Sequence, residues 1–557
     1  MNVPTMRYPA NPVNVPASLT EPSASFKKEV GGVMGSIVLF FIVYLLMFIL
    51  SVALVIGSVM VGVIVILNVR HIIGILAGIG LIGLGVMVFI FLVKFLFAVT
   101  RFDRSGSIEV TEEQQPVLFA FIRQLTLDTQ TPFPKKIYLS PEVNACVFYD
   151  SSFWSMFLPI RKNLQIGLGL VNSINVSEFK AVMAHEFGHF SQRSMKLGSF
   201  VYNVNRIIHN MLFQNSGYSD ALGKFASAGN IFAFFASLTA WIARGIQYVL
   251  RQMYGLINTR YMSLSREMEF HADAVAASVS GSESLVTALR RIELASAGYT
   301  ITLQKCDALF REKKISGNIY LNQRSVMKRL AKEYKLNEEH GLPIITKEFH
   351  TSHNTSRVNY KDQWASHPTT DDREQHLQHL AVVAEIVSQP AWELFQDREA
   401  LQTALTKKVY EAVEIEPGTE IVDNQEFERK VEGDITLFNI PEEYKGFYDN
   451  RQIELPPAEE AFVSTPADAN LSFDQLLTPD HLSIPSSIRS AATDIDMLRA
   501  IGNKTMQVKS FDFDGAKYES RDALKIADQL ETEMKEQEAR LKELDNRVIS
   551  WFIARAE

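Results

Sequence analysis

The chain has 557 residues, a formal net charge of -8 and a sequence pI near 5.9, with 47% hydrophobic and 21% charged residues. That length exceeds one ordinary core, so a membrane part plus at least two soluble lobes is expected. No sustained Lys/Arg stripe offsets the acidic balance, which argues against a nucleic-acid partner. The only cysteines, Cys146 and Cys306, lack CxxC spacing, so any metal must be held by nitrogen and oxygen.

Residues 1–30 carry Pro4, Pro9, Pro12, Pro16 and Pro22 among small and polar residues and read as an irregular leader. The apolar stretch begins only after Lys27 and Lys28 and runs too far for a secretory signal peptide. Residues 31–100 read as a transmembrane hairpin, with helices over 35–67 and 72–98 separated by Asn68, Val69, Arg70 and His71. Ser51, Gly57 and Ser58 leave room for a break and a third pass. Lys27, Lys28, Lys94, Arg101 and Arg104 flank its outer ends and only Arg70 lies in the turn, so both ends are expected in the cytoplasm. The expected location is the cell (inner) membrane, with the soluble part facing the cytoplasm.

Residues 105–410 form the expected chemical domain. Thr111 followed by Gln114 is a capping-box opening for a helix through about Leu127. Strands are expected at 136–139, 144–149 and 161–168 from their β-branched and aromatic content. Asn175 opens a helix with Glu178 at the box position and apolar residues at three- and four-residue spacing. His185 and His189 lie on it, four apart and on one face, so both imidazoles can point at one metal ion. Glu186 sits where its carboxylate can reach a metal-bound water and take its proton. This pattern calls for zinc with a third protein ligand and an open fourth position.

The aromatic-rich run over 230–258, with Trp241, Arg244 and Arg251, reads either as a helix at the membrane surface or against the hairpin, or as a plain amphipathic core helix. Downstream, Glu269 and Asp273 share a helix face and suit a zinc ligand and an acceptor for the outer N–H of a ligating histidine. Glu267 and His271 form a competing pair that spacing does not exclude.

The chain resembles the HtpX-like membrane zinc metallopeptidases, a family that also includes the CaaX prenyl endopeptidases. The elements that carry the resemblance span roughly 111–380. They are Val110-Thr111-Glu112-Glu113, Asn144-Ala145, His185-Glu186-Phe187-Gly188-His189, Glu269-Phe270-His271-Ala272-Asp273, and Ser366-His367-Pro368 followed by Arg373. The resemblance implies that His185, His189 and Glu269 ligate zinc, that Glu186 is the general base and that Asp273 supports a ligating histidine. It also implies that Asn144 and Ala145 lie on an edge strand that pairs with extended substrate, and that His367 donates to the oxyanion of the tetrahedral intermediate. The chain departs from the CaaX enzymes in having too few apolar spans for an enclosing membrane chamber, which disfavours prenylated substrates. His350, His353, His376 and His379 read as surface residues of a polar stretch and the helix after it.

Residues 411–515 turn acidic and loop-rich, with Pro417, Pro441, Pro456, Pro457, Pro466, Pro479 and Pro485 as breakers. Residues 516–557 read as one amphipathic, highly charged helix, with Leu530, Met534, Leu541, Leu544, Val548 and Trp551 on its apolar face. The expected fold is α+β: a transmembrane hairpin, a mainly helical zincin-like domain with a small edge-strand sheet, and a C-terminal α+β or helical appendage. The expected function is a membrane-anchored endopeptidase with one Zn2+ per chain, acting on extended polypeptide segments, membrane proteins among them. The alternative is a catalytically silent scaffold that keeps the fold. The oligomeric state is left open.

Overall fold

The computed structural model describes residues 7–69, 71–94, 99–100, 104–148, 151–152, 162–191, 216–349, 357–360, 368–438, 440, 442–449, 451, 453, 471–506, 508, 510–514 and 516–556. These are mostly helical, with small sheets. They divide into two units, Met1–Ile344 with Ala365–Asn424, and Ile345–Trp364 with Gln425–Glu557.

In the first unit, helix α1 spans Ala24–Asn68 and α2 spans Ile72–Val93. Both are long and apolar enough to cross a membrane. Helix α1 starts inside the segment expected to be irregular. No proline occurs between Pro22 and Pro116, and the Ser23 side chain caps the helix by accepting the Phe26 N–H at 3.0 Å. At 45 residues, α1 is ~68 Å long, so only about half of it is needed to cross a hydrocarbon core. Leu45, Leu46, Ile49, Leu50 and Met60 are exposed along its apolar length, as lipid-facing side chains would be.

The break considered at Ser51, Gly57 and Ser58 does not occur, because α1 is continuous. Ser51 and Ser58 turn their hydroxyls back to the carbonyls of Phe48 and Val55. Small residues instead bring the two helices together: a Cβ on Gly78 would lie 2.6 Å from the Gly62 carbonyl oxygen.

A sheet of four short strands follows the hairpin. Strand β1 is Ile108–Val110, β2 Ile137–Ser140, β3 Ala145–Phe148 and β4 Asn163–Gly167, in the order β1-β2-β4-β3. Strands β2 and β4 run parallel, β3 runs antiparallel to β4, and β3 forms one edge. Helix α3 is Pro116–Asp128; the Gln114 side chain accepts the Thr111 N–H, but the turn between them precedes the helix, which begins at Pro116.

Helix α4 is Val176–Ser191, α5 is Ser216–Ser227, and α6 is Asn230–Ser280. The aromatic-rich run and the Glu269 segment are therefore one continuous 51-residue helix. Its first half packs along the hairpin, with Phe235 against Gly80. Leu250, Ile257, Leu264 and Met268 share a core with Phe26, Val33, Ile37, Phe40 and Leu92. On α5, Tyr218 packs on Phe91 and Phe225 on Gly83. Helices α7, Ser282–Arg311, and α8, Thr370–Leu380, complete the surroundings of the site.

The second unit contains helix α9, Pro479–Gly502, and helix α10, Ala523–Ala556. Their apolar faces meet through Ile495, Leu498 and Ile501 on one side and Ala523, Ile526, Ala527 and Leu530 on the other. Two residues expected to break structure thus lie in a helix. Pro479 occupies its first turn, where no N–H is needed, behind the cap formed by Thr478, and Pro485 is buried farther along. Val358–Tyr360, Ser510–Phe513 and Ala516–Glu519 form an antiparallel three-stranded sheet in the same unit.

Gly78→Ala should destabilise the protein in detergent by ~1–3 kcal/mol despite better helix propensity, because the methyl group has no room. Gly57→Ala, with nothing within 4 Å of its Cβ, should not. Equilibrium unfolding of both variants checks the hairpin packing.

Candidate active site

The site is built where α4 crosses α6. Helix α4 begins with a reciprocal cap: Asn175 Oδ1 accepts the Glu178 N–H at 2.8 Å, and Glu178 Oε2 accepts the Asn175 N–H at 2.9 Å. Arg291 of α7 pairs with the buried Glu178 carboxylate at 2.5 Å, tying the helix start to a third helix. Two turns later His185 and His189 present their rings side by side, with centroids 4.8 Å apart.

Helix α6 supplies the facing carboxylate. Glu269 Oε2 lies 3.2 Å from His185 Nε2, and Glu269 Oε1 lies 3.4 Å from His189 Nε2. This approach depends on Gly188, whose Cβ, if it had one, would lie 2.9 Å from the Ala272 Cα atom. A glycine between the histidines therefore permits the close approach of the two helices.

These three side chains fit a zinc ion by their donor chemistry and spacing. One atom from each lies within 4.8 Å of the others. The edge of a tetrahedron with bonds of roughly 2.0–2.1 Å is about 3.3 Å, close to both nitrogen–oxygen separations. The other candidate pair, Glu267 and His271, faces elsewhere. Glu267 accepts from Ser25 at 2.5 Å and Ser23 at 3.2 Å, and His271 Nε2 lies 2.8 Å from the Thr20 carbonyl oxygen.

Behind the histidines, Asp273 is fully buried and lies 2.9 Å from His185 Nδ1. Arg373 of α8 grips the same carboxylate with two hydrogen bonds, at 2.9 and 2.6 Å. Burial would raise the Asp273 carboxyl, but the hydrogen bonds from His185 and Arg373 hold it below its ordinary value. Burial likewise works against charging His185, yet Asp273 and Glu269 raise its pKa to about 9 in the metal-free protein. Glu186 lines the same cavity; shielding from solvent raises its carboxyl, and the two histidines oppose that shift.

The cavity, of about 460 Å³, is also lined by Asn144, Ala145 and Cys146 and by an aliphatic wall that includes Leu170, Val182, Leu285 and Leu289. Asn144 and Ala145 therefore meet the histidines at the start of edge strand β3. The Gly167 N–H donates to the Asn144 carbonyl at 2.8 Å, so by the alternation of an antiparallel pair the backbone groups of Ala145 and Val147 face the open edge. Ala145 N–H is meanwhile satisfied by Asn144 Oδ1 at 2.8 Å.

His367, His350 and His353 lie outside the described residues. His376 is half-buried against Phe270. Sequence reasoning gave Arg373 no task; its fork on Asp273 joins residues 100 positions apart, which no local spacing reveals. The aliphatic wall was missed for the same reason, since its members come from separate elements.

An HExxH helix faced by a glutamate from a second helix brings three metal-donor side chains and a further carboxylate to one cavity. A family profile described as Peptidase family M48 matches residues 156–381. It is similar to Protease HtpX of Idiomarina loihiensis, 28% identical over 186 residues, covering 32% of this chain and 56% of the relative. It is also similar to a Protease HtpX homolog of Sulfurihydrogenibium sp., 28% identical over 191 residues, covering 34% and 59%. A third relative, a Protease HtpX homolog of Campylobacter curvus, is 27% identical over 202 residues, covering 36% and 64%. The chain thus spans less than two thirds of the length of these curated relatives. No solved structure matches it.

Gly188→Ala should force α4 and α6 apart and weaken zinc binding, and Asp273→Asn should weaken it by about 10–100-fold. Competition with a chromogenic chelator measures both.

Proposed function

We propose that the protein is a membrane-anchored, zinc-dependent endopeptidase with a zincin-like catalytic domain. The observation that carries this reading is the placement of the Glu269 carboxylate 3.2 and 3.4 Å from the two histidine Nε2 atoms, with Glu186 in the same cavity. His185, His189 and Glu269 would hold one Zn2+. When bound, the ion would supply Lewis acidity to a water and to a substrate carbonyl.

The chain's own residues do the rest. Asp273, held by Arg373, accepts the His185 Nδ1–H and fixes that ring's tautomer and angle. Glu186 takes a proton from the attacking water and delivers it to the leaving amine. His367 donates to the oxyanion. An extended polypeptide adds to the open edge of β3 through the backbone of Ala145 and Val147, with Asn144 giving up its bond to the Ala145 N–H. Backbone pairing suits substrates of varied sequence, unfolded or unassembled membrane proteins among them. The charge pattern around the hairpin supports a catalytic unit on the cytoplasmic face. A silent scaffold would leave Glu186 without a task.

Cleavage of casein by the detergent-solubilised full chain tests the reading. Glu186→Gln should lower kcat by about 10²–10⁴-fold while zinc stays bound. Removing zinc with a chelator should abolish cleavage, and adding it back should restore cleavage. Equal activity in wild type and Glu186→Gln would overturn the proposal.

A further inference from the structure

Lys180 is fully buried on α4, five residues before His185. A buried ammonium needs acceptors, and those of Lys180 come from the segment before α1. Its Nζ donates to the Pro9 carbonyl at 2.7 Å and to Asn11 Oδ1 at 2.6 Å, and lies 4.3 Å from the Tyr8 ring centroid. Tyr8 in turn donates to Asp128 at 2.5 Å and packs on Phe121. Burial lowers the Lys180 pKa to about 8, opposed by the nearby Asp128 charge.

The other end of this segment, running into the first turn of α1, holds α6. Thr20, Ser23 and Ser25 make the contacts to His271 and Glu267 already described, two residues either side of Glu269. Positions two apart on a helix point about 200° from one another, so the segment grips α6 on the side away from the zinc ligands. Between its two ends the segment spans a cavity of about 910 Å³, lined by Pro12, Val15 and Pro16 on one side and Val275 and Val279 on the other. Val13, in the middle, is 87% exposed.

We infer that residues 8–25 form a strap that ties the backs of the two ligand helices together and so sets the spacing of His185, His189 and Glu269. Lys180 is its anchor and a positioning residue. The inference rests on the metal-site reading only for its consequence; the mechanical claim, that the strap restrains α4 and α6, stands apart from it. Severing the strap frees Pro9 and Asn11 to leave, strands the Lys180 ammonium without acceptors, and loosens the face of α4 that carries the histidines.

The test inserts the recognition sequence of a site-specific protease after Val13 in the full chain and cuts the folded, purified protein; the uncut insertion protein is the folding control. In the metal-free state, amide hydrogen exchange over residues 176–191 and 263–275 should quicken on cutting. Zinc affinity should fall about tenfold, and kcat should fall with KM unchanged. Lys180→Met, left uncut, should reproduce the faster exchange. Unchanged exchange in both helices after complete cutting overturns the strap, as does a rise in kcat, which would make the segment an inhibitor. If exchange quickens but His189→Ala leaves zinc affinity at the wild-type value, the metal-site reading fails and the strap survives.

Discussion

The closeness of α4 and α6 at Gly188 governs the chemistry of this molecule. Two histidines on one helix supply only two of the donors a metal ion needs, and a carboxylate 80 residues later lies within reach of both rings. Only a backbone without a side chain lets the second helix come near enough for one carboxylate to reach both rings. The surrounding contacts maintain this crossing. Arg291 fixes the start of α4 through Glu178. Arg373 holds Asp273, which holds His185. At Gly188 even a methyl group would press on the Ala272 backbone and alter the distance between the histidines and Glu269.

The same helix that brings Glu269 to the site also runs along the apolar hairpin. Phe235 packs on Gly80 at one end, and Met268, next to Glu269, belongs to the core formed with Phe26 and Leu92. A continuous helix is stiff over such a length, so the carboxylate's position is referred to the hairpin as well as to α4. The site is thereby built as an extension of the apolar hairpin. This explains why hairpin packing and site geometry share one unit of the structure.

Much of this was legible in the sequence because the signals were local. The Asn175/Glu178 cap, the four-residue spacing of His185 and His189 and the apolar tracts of the hairpin each depend on neighbours within a few turns. The convergence of Glu269 with both histidines was legible only through resemblance, since spacing alone allowed Glu267 as well. What failed were readings of proline and small residues in isolation. Pro479 starts a helix, and Ser51 and Ser58 line a helix contact because their hydroxyls are satisfied by their own helix. The leader's prolines suggested an irregular segment, but not that its carbonyl oxygens would serve a buried lysine. Long-range partners such as Arg373 for Asp273 leave no trace in local patterning.

X-ray absorption at the zinc edge of the full chain, loaded with one equivalent of zinc, tests the central claim most directly. Nitrogen and oxygen neighbours at about 2.0–2.2 Å, with two imidazole scattering shells that fall to one in His189→Ala, are the expected result. Sulfur at about 2.3 Å, or a spectrum unchanged by His189→Ala, would contradict it.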